Sequence, residues 1–539
     1  DKLHACAKHF AVHSGPEWSR HRFDVENLSP RDLWETYLPA FKDAVQKAHV
    51  QEVMCAYQRF EGKPCCNSNR LLTQILRDEW GYQGIVVSDC GAISDFYKPY
   101  GHKTSPDQEH AASAGVLTGT DLECGDDYAS LPEAVKKGLI DEKQIDISVR
   151  RLLRDRFKLG EMDTQPAWSQ IPASVLDSKE HRTLALKMAH ESIVLLQNKG
   201  GLLPLDKNRL KKVAVIGPNA NDSTMQWANY NGFPSHTVTL LEGVRNALPG
   251  CEIVYERGCD LTADTLDLQA AIDKVKDVDI LLFAGGISPR LEGEEMRVTI
   301  PGFKGGDRTD IELPAVQRKF LQLLHATGKK VVFINFSGSA IGLVPETESC
   351  AAIVQAWYPG QAGGTAIADV LLGNYNPAGR LPITFYRNIS QVPDFEDYAM
   401  KGRTYRYLEQ RPLFPFGYGL SYTTFRYGKA QLSKAHIAKG ETLTLTIPVT
   451  NTGSRDGEEV VQVYVRRPGD AEGPHSTLRA FKRVAIPAGQ TVKVSLPLTT
   501  DSFDWFDTHS NTMRPIPGAY QLLYGGSSDA EKMVEVKVL

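Results

Sequence analysis

The chain has 539 residues, 42% of them hydrophobic, with 61 basic against 65 acidic side chains and a net charge of −4. That length implies about three domains, and that apolar content supports large cores rather than disorder. The near-balance of charge argues against nucleic acid or an anionic membrane surface as partner, and no apolar run is long enough to span a bilayer.

The sequence opens without an initiator Met or a signal peptide, which reads as a mature, trimmed or incomplete chain. The nine cysteines lack zinc-finger spacing. Cys65–Cys66 is the nearest thing to a metal pair, and no His–Cys set accompanies it, so no metal site is expected. The redox compartment stays open.

Residues 1–160 alternate strand and helix patterns. Leu3–Val12 and Glu52–Tyr57 read as strands, with Arg31–His49 as a long amphipathic helix between them. Asn69–Trp80 has helical spacing, and Gly84–Ser88 is the third strand. Ala114–Glu123 should contain a fourth, and Leu131–Leu159 is helical and heavily charged, as an outer-layer helix would be. Such βα units imply a parallel sheet. Four units do not close a barrel of eight strands, so the sheet is open or the chain starts midway through a barrel.

Residues 161–185 contain Pro166 and Pro172 and little periodicity, and read as a linker. Residues 186–385 form a second α/β domain. Ser192–Asn198, Val213–Ile216, Asp279–Ala284, Lys330–Asn335 and Ala351–Ala356 read as strands with loops at their carboxyl ends. None of those Gly-containing loops carries G-x-G-x-x-G or a P-loop, so a nucleotide site gets little weight. Residues 386–425 are dense in Tyr, Arg, Pro and Phe, which suggests a connector packed across domains. From Arg426 to Leu539 the pattern alternates. Thr442–Val449, Glu459–Val465, Gln490–Leu496 and Gly518–Tyr524 read as strands of an immunoglobulin or fibronectin III type sandwich.

Chemistry concentrates at the end of the third strand. Ile85, Val86 and Val87 are the β-branched run of a strand buried on both faces, so Asp89 stands at its carboxyl end. In α/β barrels that end carries the catalytic groups. The alternative is an Asp capping the next helix. Lys8 and His9 lie on the first strand and Tyr57 ends the second. A cation, an imidazole and a phenol at one end of a parallel sheet suit a hydroxyl-rich ligand. Taken singly, they read first as an edge-strand pair and a core aromatic, and taken together with Asp89 they read as a site.

Three segments, KHF at Lys8–Phe10, VMCAYQRFEGKP at Val53–Pro64 and GIVVSDCGAI at Gly84–Ile93, resemble in order and spacing the barrel motifs of glycoside hydrolase family 3. AGRLPITF at Ala378–Phe385 and PFGYGLSYTTF at Pro415–Phe425 are similar to later segments of that family. The resemblance covers essentially the whole chain. It implies the C-terminal part of a (β/α)8-type barrel, an α/β sandwich with an open sheet, and a fibronectin III-like third domain. It further implies retaining exo-hydrolysis of a terminal β-D-xylose or β-D-glucose from an oligosaccharide or β-glycoside, with no cofactor.

By the same resemblance Asp89 matches the nucleophile, and Lys8, His9, Arg20 and Tyr57 match sugar-binding positions. A retaining glycosidase also needs an acid/base, its carboxyl about 5–5.5 Å from the nucleophile's. The family takes it from a loop of the second domain, where the acidic cluster at a strand end is Leu291–Glu295. Glu292 best fits the spacing from Gly286, and Glu294 is next. A solvated charged loop is the other reading. Asp307-Arg308 looks like the recurrent pair that braces this loop.

Cys90, directly after Asp89, resembles the β-xylosidase branch, where many β-glucosidases have Trp, and joins the substrate-binding set. Some of that branch link this Cys to one after the next strand, which implies a Cys90–Cys124 disulfide. Free apolar thiols are the alternative in a reducing compartment. The N-acetylglucosaminidase branch is disfavoured, because its D-S-H motif is absent. A catalytically inactive carbohydrate-binding or scaffold relative is the competing function.

The resemblance begins at the family's KHF strand. The upstream half of the barrel is therefore expected to be missing, leaving a parallel edge that is costly in water. An upstream segment of the same polypeptide is the expected partner, and a second copy in a homodimer the substitute. The expected location is periplasmic or secreted.

Overall fold

In the computed structural model, which describes residues 3–539, the chain forms two units. The first comprises residues up to 173 together with 395–400 and 505–513. Its sheet holds β1 (Cys6–Phe10), β2 (Glu52–Cys55) and β3 (Ile85–Ser88), all parallel, in the order β1-β2-β3. All four residues of β3 are buried, as its unbroken apolar run requires.

Three sequence expectations fail here for local reasons. Arg31–His49 is not one helix. It runs through Pro30–Asp32, a π turn at Leu33–Tyr37 and then Pro39–Gln46, because Pro39 has no N–H to continue the ladder. The strand sought in Ala114–Glu123 is a helix, Gln108–Thr118, followed by one parallel bridge from Leu122 to Val87. Asp107 caps that helix and Gly119, at φ 102°, ends it. Leu131–Leu159 splits into Leu131–Lys136 and Glu142–Lys158 around Gly138, at φ 71°.

Asp121 ties the layers of this unit together. Its side chain is fully buried. One carboxylate oxygen accepts from Arg77 at 2.7 Å and from the Val86 backbone N–H at 3.0 Å. The other accepts from Ser148 at 2.9 Å and Arg151 at 2.7 Å. Arg77 lies on the helix Asn69–Glu79, Ser148 and Arg151 lie on Glu142–Lys158, and Val86 lies in β3. Residues 395–400 of the aromatic connector also pack here, with the Tyr398 ring stacked on Phe23 and Tyr37.

The second unit comprises residues 174–394, 401–504 and 514–539. Helix Lys179–Ser192 starts inside the expected linker, with Ser178 as its cap. Six strands follow: β4 (Val194–Asn198), β5 (Lys212–Ile216), β6 (Glu252–Glu256), β7 (Ile280–Gly286), β8 (Val331–Phe336) and β9 (Ala352–Gln355). They lie in the order β4-β9-β8-β7-β5-β6. All neighbours are parallel except β4, which runs antiparallel to β9. Strict alternation feeds two cores. Leu281, Phe283, Val331 and Phe333 meet helices Leu268–Val275 and Ala315–Ala326 on one face. Ile280, Leu282, Val332 and Ile334 meet Leu240–Ala247 and Gly363–Leu372 on the other.

Beyond residue 424 two main sheets form, antiparallel except where His436–Ile437 runs parallel to Lys532–Val538. Thr442–Asn451 is central to one and pairs with Thr491–Thr499. The other is ordered His436–Ile437, Lys532–Val538, Gly518–Gly525, Gly457–Arg466, Thr477–Ile486. Among the described residues no helix is long and apolar enough to cross a membrane.

Replacing Asp121 by Ala strips four donors of their buried acceptor. The expected cost is about 3–5 kcal/mol, the range for breaking a buried ion pair. It should be read as a lower denaturant midpoint of the first unit, with Asp121→Asn losing less because it keeps one acceptor oxygen.

Candidate active site

Within the first unit the polar residues converge at the carboxyl ends of β1, β2 and β3. Asp89 follows β3, and its backbone N–H donates to the Cys55 carbonyl at 3.1 Å, which fixes it to the end of β2. The Asp89 side chain is buried. One oxygen accepts from the Cys90 N–H at 2.9 Å. The other lies 3.2 Å from His9 Nε2 and 3.8 Å from the Arg20 guanidinium. Arg20, 1% exposed, is itself held by Glu17 at 2.9 Å and lies 4.5 Å over the Tyr57 ring. A buried carboxylate needs such an opposite charge at hand.

Tyr57 is buried, and its hydroxyl donates to the Cys90 carbonyl at 2.6 Å. Cys90 is joined to Cys124 by a disulfide. Asp89, His9, Arg20, Tyr57 and Cys90 thus form one connected group, with Lys8 exposed on β1 directly before His9.

A second rank of residues has no counterpart in the sequence reading. Gln58 donates to the carbonyls of Ala11 and Val12, which leaves its amide oxygen to accept from His13 Nδ1 at 2.7 Å. The His13 ring sits edge-on to His9 at 5.0 Å. His21 bonds buried Asp95 at 2.7 Å and meets the Tyr57 ring edge-on. A second disulfide, Cys55–Cys66, closes the segment after β2. For His13 and His21 the available signal was the polar density of residues 13–24, not any spacing.

Within the second unit the acidic loop follows β7. Glu292 is clamped. One of its oxygens accepts from the Gly338 N–H at 2.6 Å and from the Tyr358 hydroxyl at 2.5 Å. The other accepts from the Ser339 hydroxyl at 2.6 Å. Gly338 and Ser339 follow β8 and Tyr358 follows β9, the strand-end loops that the sequence pattern locates without assigning a role. Burial and the Glu292 charge push the Tyr358 phenol well up, so it stays a donor at any working pH.

Arg308 donates to Ser339 at 3.3 Å and to the carbonyls of Asp310 and Glu312, bracing this cradle from behind. Glu294, two residues on, accepts from the Tyr230 hydroxyl. Gly306, at φ 108°, crosses so close that a Cβ there would lie 1.9 Å from the Gly293 carbonyl oxygen.

Residues 1–154 match the glycosyl hydrolase family 3 N terminal domain, 193–422 the glycosyl hydrolase family 3 C-terminal domain, and 459–528 a fibronectin type III-like domain. The chain is 45% identical to a xylan 1,4-beta-xylosidase of Xylanibacter ruminicola, over 98% of this chain and 78% of that protein. It is 31% identical to a periplasmic beta-glucosidase of Salmonella typhimurium, over 99% and 73%. Among solved structures it resembles an exo-beta-xylosidase in complex with a xylobiose aziridine probe. There the TM-score is 0.89 at 28% identity, covering 100% of this chain and 72% of that one.

Burial and the neighbouring His9 pull the His13 imidazole down to about 4 from its ordinary 6.5. Across that window the unfolded chain binds a proton that the folded chain does not, so stability falls as pH drops through it and is level above it. Urea midpoints of the first unit should decline from pH 6.5 to 4. His13→Asn, which keeps a donor toward Gln58, should flatten that slope by about one proton.

Proposed function

The chain belongs to glycosyl hydrolase family 3, and from that membership we propose a retaining, exo-acting β-glycoside hydrolase that releases a terminal β-D-xylose or β-D-glucose by double displacement. The observation that carries the nucleophile is Asp89, a buried carboxylate at a strand end beside His9 and Arg20. Asp89 attacks the anomeric carbon and the glycosidic oxygen departs with a proton. The acid/base then removes a proton from the water that releases the sugar from Asp89. Lys8, His9, Arg20, Tyr57 and Cys90 make up the sugar-binding set.

The proton comes from the Leu291–Glu295 loop. Spacing puts Glu292 first. In favour of Glu294 is that both Glu292 oxygens already accept from Gly338, Ser339 and Tyr358. A group that hands a proton to a leaving oxygen must present an oxygen elsewhere. Glu292 then holds the loop in place and Glu294 carries the proton.

Cys90 beside the nucleophile and the named activity of the Xylanibacter relative support xylose over glucose. Two disulfides and a relative named periplasmic support a periplasmic or secreted location. β1 is one of the two outer strands of its sheet, and Ile147, Leu153 and Phe157 of Glu142–Lys158 are exposed. Both features support an additional βα segment completing a barrel there, in preference to a homodimer.

Asp89→Asn should abolish turnover of p-nitrophenyl β-xyloside without unfolding the protein, and a 2-fluoro xyloside should label the peptide holding Asp89. Labelling elsewhere overturns the nucleophile. The acid/base variant is expected to slow substrates with poor leaving groups about 100-fold or more relative to activated aryl ones, and to form a β-glycosyl azide when azide is supplied. Glu294→Ala should show this signature. If Glu292→Ala shows it instead, the roles are exchanged. Comparison of kcat/KM on p-nitrophenyl β-xyloside and β-glucoside decides the sugar, with the xyloside expected to be higher.

A further inference from the structure

The loop after β5, residues 217–239, is held on both sides of a bare middle. Upstream, Asn229 donates from its amide to the Glu292 carbonyl at 3.0 Å, and the Tyr230 hydroxyl donates to Glu294. Downstream, the Ser235 hydroxyl donates to Asp177, and His236 bonds Glu242 at 2.8 Å. Between these anchors, Asn231, Gly232, Phe233 and Pro234 make no hydrogen bond among the described residues. Asn231, Gly232 and Phe233 are exposed.

Asn231-Gly232 is the one Asn-Gly pair in the sequence. In such a pair the Asn amide carbon stands one five-membered ring closure from the next peptide nitrogen. Glycine has no Cβ to obstruct the approach and leaves the backbone free to turn. A hydrogen bond to that nitrogen or that amide would hold the two apart, and here neither is engaged.

The other asparagines of the loop are secured. Asn219 is buried, with its amide on the Gly285 and Ile287 carbonyls at 3.2 and 3.1 Å. Asn221 accepts from the Thr239 hydroxyl at 3.0 Å, and Asn229 is spent on Glu292. Each of them precedes a residue with a side chain.

We propose that Asn231 is a modification site that converts itself, by deamidation through a succinimide, to isoaspartate, and that the change reaches Glu294 through Tyr230. The Gly232 nitrogen loses its proton to water and bonds to Asn231 Cγ, the Cγ–NH2 bond breaks, and ammonia leaves. Water then opens the ring. Opening at the main-chain carbonyl routes the backbone through Cγ and gives isoaspartate, and opening at Cγ gives aspartate. Either product adds a negative charge, and isoaspartate lengthens the main chain by one methylene directly after Tyr230. Tyr230 sits at φ 53°, left-handed backbone that a non-glycine residue keeps only where its surroundings impose it. The added length relaxes that constraint and draws the hydroxyl away from Glu294. The effect on turnover rests on the hydrolase reading above, and the modification does not.

The test ages the full chain in mildly alkaline buffer. Peptide mapping should find the first amide-to-acid mass change at Asn231, and isoaspartyl methyltransferase should label the same peptide. Gly232→Ala should stay unconverted over that interval. A Cβ there meets nothing within 4 Å, so this variant changes the chemistry and not the fold. Anion exchange separates the converted protein by its extra charge. On whichever of xylobiose and cellobiose the fresh protein hydrolyses better, the converted fraction should lose about fivefold in kcat/KM, the scale of one hydrogen bond. Tyr230→Phe should show that loss when fresh and no more on ageing. An intact Asn231, or earlier conversion at another asparagine, overturns the site. Equal kinetics of converted and fresh protein overturns the link through Tyr230. Failure of the fresh protein on both disaccharides overturns the hydrolase reading, while the mass change still decides the site.

Discussion

A carboxylate buried at the end of a strand must have its charge answered on the spot, and much of the first unit answers that of Asp89. Arg20 cannot sit 1% exposed without its own counter-ion, so Glu17 is drawn in. The guanidinium covers Tyr57, whose hydroxyl in turn holds the Cys90 carbonyl, and Cys90 returns its N–H to Asp89. The ring closes on itself. Each member is explained by the one before it, and the whole is seated on three parallel strands that Asp121 clamps to the helices behind.

The acidic loop of the second unit obeys the same logic with different parts. Glu292 is satisfied by groups from two separate strand-end loops, and Arg308 reaches it through Ser339 rather than directly. Because the donors come from the carboxyl ends of β8 and β9, the loop after β7 takes its shape from the sheet and not from its own sequence. That is how a run of acidic residues, ordinarily a solvated surface, becomes a defined structure.

Much of this was legible where one local rule dominates. The β-branched run before Asp89 declares a buried strand, and the alternating Thr and apolar residues of Thr442–Asn451 declare a half-buried one. Legibility failed where a rule was overridden or mute. Pro39 broke a convincing amphipathic pattern, and the helix that Asp107 caps runs through Thr118, into the stretch from Ala114 where hydrophobicity suggested a strand. The edge strands Glu252–Glu256 and Thr477–Ile486 are too charged to announce themselves. At the site, Asp89, His9 and Tyr57 could be placed because each ends or lines a strand. Glu17, Gln58, Ser339 and Tyr358 could not, since only tertiary closure brings them to their partners.

The six-stranded sheet has a consequence for how such a chain can change over generations. Consecutive residues of β7 and β8 feed opposite cores, so deleting one residue within either strand would exchange both faces at once. Gains and losses of length are therefore tolerated only between strands. The connections leaving the carboxyl ends of β5 and β7 are the very segments that carry Tyr230, Phe233 and Glu294. Inheritance can lengthen, shorten or redecorate them while the scaffold stays in register, which lets descendants diversify at this rim without rebuilding the interior.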